Sequence, residues 1–486
     1  MTLPSRSASS TRLARWFAAG AVGLLGACAS GPTPTTTAGD PANPVAPTQW
    51  LAPLPHAGQP TALVGWWQQF NDPVLTDLQQ AAQAASPTLA AAWSRIEQSR
   101  ATQVAATGAL LPNLNASASA SRGRQDTTLP LNTSYAGGLQ AAWELDLFGG
   151  GRAARGAAQA RFEGAQAGWH EARVSVAADV AGSYLALRAC EAQLAQTQLD
   201  ADSRAETARL TELSAKAGFQ SPANAALARA SAAQGNSQRV SLQAQCDVGV
   251  KGLVALTGID EATLRTRLAE GRARLPQPAD MAVGSVPAEV LNQRPDLFTA
   301  ARDVAAASAD VSQARAARLP RVSLNGSIGA MRVETAMGST DGSTWSIGPV
   351  SLTLPLFDGG TRRANVDAAR ARYDEASITY RAKVRSAVRE VEEALIQLQS
   401  TDTRQQDART AVEGFDASYR ATEARFKGGL ASLFELEDAR RSAVQAQIAL
   451  IDLQRERVSA WISLYRAMGG GWARPGQPAT LALAQP

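Results

Sequence analysis

The chain of 486 residues is poor in histidine, cysteine and aromatic side chains: two His, three Cys and 5% Phe, Trp and Tyr. With only His56 and His170 present, a multi-histidine metal centre is excluded and a histidine-based triad has two candidates at most. So few aromatics argue against the several ordinary cores that such a length suggests at ~150 residues per domain. An Ala-rich, elongated fold suits the composition better. Net charge is scarce too, at +4, and Arg6, Arg12 and Arg15 supply three of those charges within the first 27 residues. A polycation for nucleic acid is therefore not expected.

The apolar run Trp16 to Ala27 is too short to cross a bilayer as a helix, which needs ~20 residues. It reads as the apolar core of a signal peptide. The order Leu25-Gly26-Ala27-Cys28 that closes it resembles a bacterial lipoprotein signal, in which the cysteine is acylated and becomes the mature N-terminus. Ala29 and Ser30 follow, without the Asp of an inner-membrane retention signal. The expectation is a signal peptide over 1–27 and an outer-membrane lipid anchor at Cys28. Residues 28–60 are rich in Pro, Thr, Ala and Gly and read as an extended tether that buries no core.

Two stretches of the chain repeat each other. Leu111-Pro112 recurs as Leu319-Pro320, Leu147-Phe148-Gly149-Gly150 as Leu356-Phe357-Asp358-Gly359-Gly360, and Lys216-Ala217-Gly218 as Lys427-Gly428-Gly429. The offset stays near 210 residues, too long for a solenoid period, so one supersecondary unit is used twice. The division that follows is a first unit over 61–258, a linker over 259–294, a second unit over 295–469 and a tail over 470–486.

Each unit opens with a helical segment and then changes to period-2 alternation. Leu114 to Ser121 and Leu139 to Leu147 place apolar and polar residues on opposite faces, as strands between two media do, and 321–356 repeats the pair with Val322, Leu324, Ile328, Val350, Leu352, Leu354 and Leu356. The strand pairs are placed within 113–147 and 321–356. Pro349 and Pro355 suit a bulge or a strand end. Helical periodicity then runs without proline from about Arg152 to Lys216 and from about Arg362 to Lys427. The seam Tyr380, Val384, Ala387, Val391, Ala394, Leu398 has the alternating spacing of four and three that marks a coiled coil. A hairpin turning at Gly218 sets Cys190 and Cys246 level on antiparallel helices. A disulfide and two small buried thiols fit that placement equally.

Four amphipathic strands cannot close a barrel, because the smallest single-chain membrane barrels have about eight. Edges left open in lipid would strand backbone polar groups, so several chains must pool their strands. Helices continuing from such a barrel would make a duct.

At this point the chain resembles a known family. Asn71-Asp72-Pro73-Val74-Leu75, Gln293-Arg294-Pro295-Asp296-Leu297 and the stretch Arg425 to Leu436 look like the outer-membrane efflux proteins, the TolC-like family, and its NodT-like lipoprotein branch in particular. The resemblance implies a mainly α fold with β: four strands per chain in a homotrimeric 12-stranded barrel, continued by a coiled-coil periplasmic helical tunnel. It implies the exit duct of a tripartite pump, partnered by a periplasmic adaptor and an inner-membrane transporter, with no cofactor and no catalysis. Carried over by position, Phe434 is a steric plug of a periplasmic gate, Glu435 and Asp438 form carboxylate rings, and Arg441 is a pairing cation. The first unit departs from this pattern, with Asn224 and Leu227 at the matching places. The turns Lys216 to Gly218 and Lys427 to Gly429 are the expected adaptor contacts. Arg294-Pro295-Asp296 is read as a helix start.

Two rival classes are weighed against the duct. Gly149-Gly150-Gly151-Arg152 is too short for a phosphate loop, and His170-Glu171 lacks the second His of a zinc-protease helix, which disfavours an enzyme. A coiled-coil adaptor or scaffold lipoprotein is the stronger rival, but it does not call for two copies of paired amphipathic strands.

Overall fold

The computed structural model describes residues 66–124, 131–277 and 291–472. The signal peptide, Cys28 and the tether lie outside the described residues, as do 278–290 of the linker and 473–486 of the tail.

A 3-10 turn (Trp66–Phe70) and helix α1 (Pro73–Ala85) lead into α2 (Pro87–Gly108), β1 (Asn113–Gly123), β2 (Asn132–Leu145), α3 (Gly150–Lys216) and α4 (Pro222–Thr257). After α5 (Glu261–Leu268) the same order returns as α6 (Pro295–Ala316), β3 (Arg321–Thr335), β4 (Gly338–Thr353), α7 (Thr361–Lys427) and α8 (Leu433–Ala467). The helices α3 and α7 have 67 residues each, about 100 Å at ~1.5 Å per residue. Neither has an internal proline to break it.

Shorter helices pair up to match these rods. The α4 terminus at Gly258 meets the end of α1 beside the start of α2, where an added Cβ would lie 3.0 Å from Ala85 Cβ. The start of α6 meets the end of α8, where Arg294 Nη1 donates to the Ala467 carbonyl at 2.8 Å. Side by side, the order is α2 with α4, then α3, then α6 with α8, then α7. Small residues let the rods approach: Ala157 and Ala160 of α3 pack on Ala306 of α6, and Gly164 lies against Arg302 and Thr299. That close Ala packing takes the place of the missing aromatics.

The strands form one antiparallel sheet in the order β1-β2-β3-β4. Trp143 faces Leu324, Leu139 faces Ile328 and Ile328 faces Trp345, so the apolar sets share one face. Ser117, Ser119, Ser134, Gln140, Ser327 and Ser346 alternate onto the other. The register shifts between Leu324 and Gly326, opposite the stretch that contains Pro349, as expected of a proline in a ladder. Pro355 lies beyond β4.

The strands extend further toward their hairpins than the hydropathy suggested, and they stop short of Leu147 and Leu356. The reason is a cap. Asp146 turns out of the ladder and accepts from the backbone N–H of Gly151 at 3.0 Å and of Arg152 at 2.9 Å. In the second copy Asp358 does the same for Gly360 and Arg362 at 3.0 and 3.1 Å. Burial alone would raise the Asp146 pKa, but these N–H groups and the Arg152 guanidinium outweigh it and hold it below the ordinary value. Asp358 is held low by the Arg362 N–H first.

The largest core lies midway along the rods. Trp66 stacks on Tyr465 at 4.8 Å and meets Phe70 edge-on. Asp72 caps α1 through Leu75 N–H at 3.1 Å. Arg188, fully buried beside Tyr184, donates to the carbonyls of Leu268 at 2.8 Å and Glu270 at 2.6 Å, closing the C-terminus of α5. Nearby, Cys190 and Cys246 are joined as a disulfide with Cα atoms 5.7 Å apart. Arg294 precedes Pro295 at the start of α6 and pairs with Asp296 and Glu390, both at 2.8 Å. The Arg-Pro-Asp motif is a buried joint between helices.

Candidate functional site

The two hairpin turns are built alike. Past Lys216, Gly218 takes φ +82°, and Phe219 N–H returns to Ser214 O at 2.9 Å. Past Lys427 and Gly428, Gly429 takes φ +75°, and Leu430 N–H returns to Arg425 O at 2.8 Å. A left-handed residue is needed for this closure, which is why glycine stands at both. Lys216 and Lys427 each pair with an acid one turn earlier, Glu212 at 3.0 Å and Glu423 at 3.3 Å. Phe219 and Leu430 project into solvent at 85% and 74% exposure. The reversals thus present an apolar tip flanked by lysines.

Helix α8 begins just after the second turn. Ser432 accepts from Glu435 N–H at 3.2 Å and Glu435 returns its carboxylate to Ser432 N–H at 2.8 Å, a full capping box. The Glu435 carboxylate is therefore tied to its own helix start. Asn224 holds the matching place in α4, with its N–H on Ser221 Oγ at 3.1 Å. Phe434 is 73% exposed, and Asp438 pairs with Arg441 one turn on. Phe434, Asp438 and Arg441 share one groove of about 880 Å³ between α8, α3 and α4, with Leu227 on its far wall. The four sequence-picked residues thus split: three line the groove, and Glu435 caps.

The wall of that groove also carries a clasp, formed by residues that residue order alone does not single out. Glu437 of α8 accepts from Arg204 of α3 at 3.3 Å, from Ser231 of α4 at 2.7 Å and from Arg440 at 2.5 Å. Arg204 also pairs with Asp200 at 2.7 Å. Arg440 reaches Thr207 Oγ1 of α3 at 2.9 Å and lies over the Tyr419 ring of α7 at 5.7 Å. Tyr419 in turn meets Ser203 at 3.1 Å. Arg440 is 2% exposed. One signal for it was present. Leu433, Leu436, Arg440 and Ala443 follow the spacing of three, four and three that marks a buried stripe, so a charge there must find partners inside.

Among the described residues, no group of three or more His, Cys, Asp or Glu is placed to hold a metal ion. No described helix is long and apolar enough to cross a membrane.

With this geometry in hand, comparisons with known proteins are specific. The family model described as outer membrane efflux protein matches residues 78–259 and 286–470. The outer membrane protein OprJ of Pseudomonas aeruginosa is 32% identical over 458 residues, covering 92% of this chain and 94% of that protein. Nodulation protein T of Rhizobium leguminosarum bv. trifolii is 29% identical, covering 84% and 88%. Among solved structures, a membrane protein from Pseudomonas aeruginosa superimposes with a TM-score of 0.79 at 30% identity, covering 88% of this chain and 98% of that one. The outer-membrane channel OprN gives 0.78 at 27%, covering 89% and 99%.

Proposed function

The chain belongs to the outer membrane efflux protein family, and we propose that it works as the passive exit duct of a tripartite efflux pump. It is the outer-membrane channel component, reaching into the periplasm, where an adaptor joins it to an inner-membrane transporter that supplies the energy.

One observation carries the reading. β1 and β4 are both left at the edges of the sheet, with β1 continuing from α2 and β4 leading into α7. The outer sides of α7 and of α2 with α4 likewise have no extensive partner among the described residues. The open edges of sheet and helical layer therefore fall on the same two sides. Backbone groups on those strand edges need partners in lipid, and further copies of this chain supply them. Three copies give twelve strands. A coiled-coil scaffold has no use for such a sheet.

The groove at the α8 start is the gate of this duct. Phe434 narrows it, Asp438 with Arg441 sets its charge, and the Glu437 clasp holds α8 and α7 against α3 and α4. The turns Lys216 to Gly218 and Lys427 to Gly429, with Phe219 and Leu430, are the adaptor's contact points. Cys28 carries the lipid. Labelling with a radioactive fatty acid tests that last point, since Cys28→Ser must lose the label.

The test of the duct itself is conductance in planar bilayers together with heat-modifiable migration of the oligomer. Discrete channel steps from a trimer are expected, and a monomer without channel activity overturns the reading.

A further inference from the structure

The apolar face of the sheet ends in charge. Along it, β2 runs Leu145, Trp143, Ala141, Leu139, Gly137, and the residues beside these on β3 and β4 include Val322, Leu324, Ile328, Ile347 and Trp345. The next row toward the hairpins is Ala120, Tyr135, Arg332 and Asp341, and the row after it is Arg122, Thr133, Glu334 and Ser339. Because directly paired residues share a face, Arg122, Arg332, Glu334 and Asp341 all stand on the apolar side. The opposite face is uncharged over the same rows: Ser119, Ala136, Met331 and Gly342, then Ser121, Ser134, Val333 and Thr340. The charges thus point outward from the duct.

Their height fits the edge of a membrane. From Leu145 to Gly137 is eight residues, about 27 Å along a strand and about 21 Å in height at a tilt of ~40°. A membrane barrel's apolar band is ~25 Å tall, so the Arg332 row falls where hydrocarbon gives way to headgroups. A charge there costs far less than one at the midplane of the bilayer. Tyr135 in the same row suits that boundary, with an apolar ring and a polar end.

The guanidinium groups are poised for a phosphoryl ligand. Arg332 Nε donates to Glu334 Oε1 at 2.9 Å and lies 3.7 Å from Asp341 Oδ1. That turns Nε toward the acids, while neither Nη atom has a hydrogen-bond partner among the described residues. Arg122, two strands away on the same face, is exposed and likewise has none. A guanidinium with its terminal fork free matches two oxygens of a phosphate.

We propose that Arg122 and Arg332 form an outward binding surface for the phosphorylated headgroup of an outer-leaflet lipid. The bound lipid seals the rim of the barrel and sets its height in the membrane. This rests on the barrel reading above, which conductance tests separately.

The experiment uses the full trimer in nanodiscs of zwitterionic lipid doped with bisphosphorylated lipid A, with dephosphorylated lipid A in a parallel sample. Native mass spectrometry then counts the glycolipid molecules retained on the protein. Wild-type protein is expected to keep several-fold more of the phosphorylated lipid, and R122Q/R332Q is expected to lose that excess while keeping its conductance and heat-modifiable trimer. The single variant R122Q, which leaves the Arg332 ion pairs intact, is expected to lose part of it. Excess inorganic phosphate should not compete, because the apolar rows hold the acyl chains. Equal retention of the two lipids by the wild type, or an undiminished excess in both variants, overturns the proposal. Displacement by free phosphate overturns the assignment to a lipid.

Discussion

Tyr184 Oη donates to Asp72 Oδ2 at 2.6 Å, while the other oxygen of Asp72 caps α1 through Leu75 N–H at 3.1 Å. One carboxylate therefore holds a helix start and docks it on the middle of α3. Tyr184 carries the link onward, since its ring lies 4.8 Å from the Arg188 guanidinium that closes α5. The Asp72-Pro73 pair is the joint that fastens the belt of short helices to the rods.

Asp72→Ala removes both bonds and leaves a buried hydroxyl unpaired, so a loss of about 2–4 kcal/mol is expected. Tyr184→Phe loses the link but keeps the cap and is expected to cost about 1 kcal/mol. Limited proteolysis of the trimer should show early cleavage near α1 in the first variant and little change in the second. Equal protection in both variants would show that the joint is not holding α1.

Arg440 and Glu437 make a sharper case. Removing one member of a buried charge network costs about 3–5 kcal/mol, because the remaining charge keeps its desolvation without its partner. Here the cost falls on the contact between α8 and α3 and leaves the barrel untouched. Glu437→Ala is expected to raise single-channel conductance or the open fraction in planar bilayers while the heat-modifiable trimer persists. A trimer of unchanged conductance would sink the clasp.

His170 links stability to pH. It sits among Trp169, at 5.0 Å, and Trp472, at 6.3 Å, and burial followed by the charge of Arg173 holds its pKa below the ordinary 6.5. The unfolded chain then takes up a proton before the folded one does. Stability from this site is full above pH 6.5 and declines as pH falls below it toward the folded value. Melting temperature should drop as pH falls below 6.5, and His170→Gln should flatten part of that drop. An identical pH profile for the two proteins would rule the site out.

The disulfide between Cys190 and Cys246 staples α3 to α4 at the height of the central core. Spacing alone fits a disulfide and a pair of free thiols equally. Non-reducing peptide mapping should recover the linked pair, and Cys190→Ser with Cys246→Ser should lower the melting temperature of the trimer. Free thiols in protein purified without reductant would remove the staple.

Much of this architecture could be read from residue order, because the duplication, the proline-free rods and the Leu-Phe-Gly-Gly boundaries are local patterns. The outer parts of β3 and β4 could not. In Gly338 to Ser343 polar and small residues occupy both faces, so hydropathy there has no period to show. The two strand-to-helix caps were hidden for another reason: Asp146 precedes its Leu-Phe pair and Asp358 follows its own, so alignment of the copies sets them out of register. Arg440 was hidden by its type, since charge suggests a solvated face. Its place in an apolar stripe was the better guide.

The residues of the proposed gate divide into a cap and a charged ring. Glu435 is spent on the capping box, so Glu435→Ala should cost helix α8 about 1 kcal/mol at its start and alter ion selectivity little. Asp438 is exposed in the groove, and the gate proposed above sets its three copies facing one another around the trimer axis. Like charges so placed attract cations and exclude anions. Asp438→Asn is therefore expected to reduce cation selectivity at low salt, an effect that fades as ionic strength rises. Phe434→Ala should raise conductance with selectivity unchanged, because it removes bulk and no charge. If Glu435→Ala shifts selectivity as strongly as Asp438→Asn, the capping assignment fails and both acids belong to the ring. If neither Asp438→Asn nor Phe434→Ala changes selectivity or conductance, the constriction lies elsewhere along the duct.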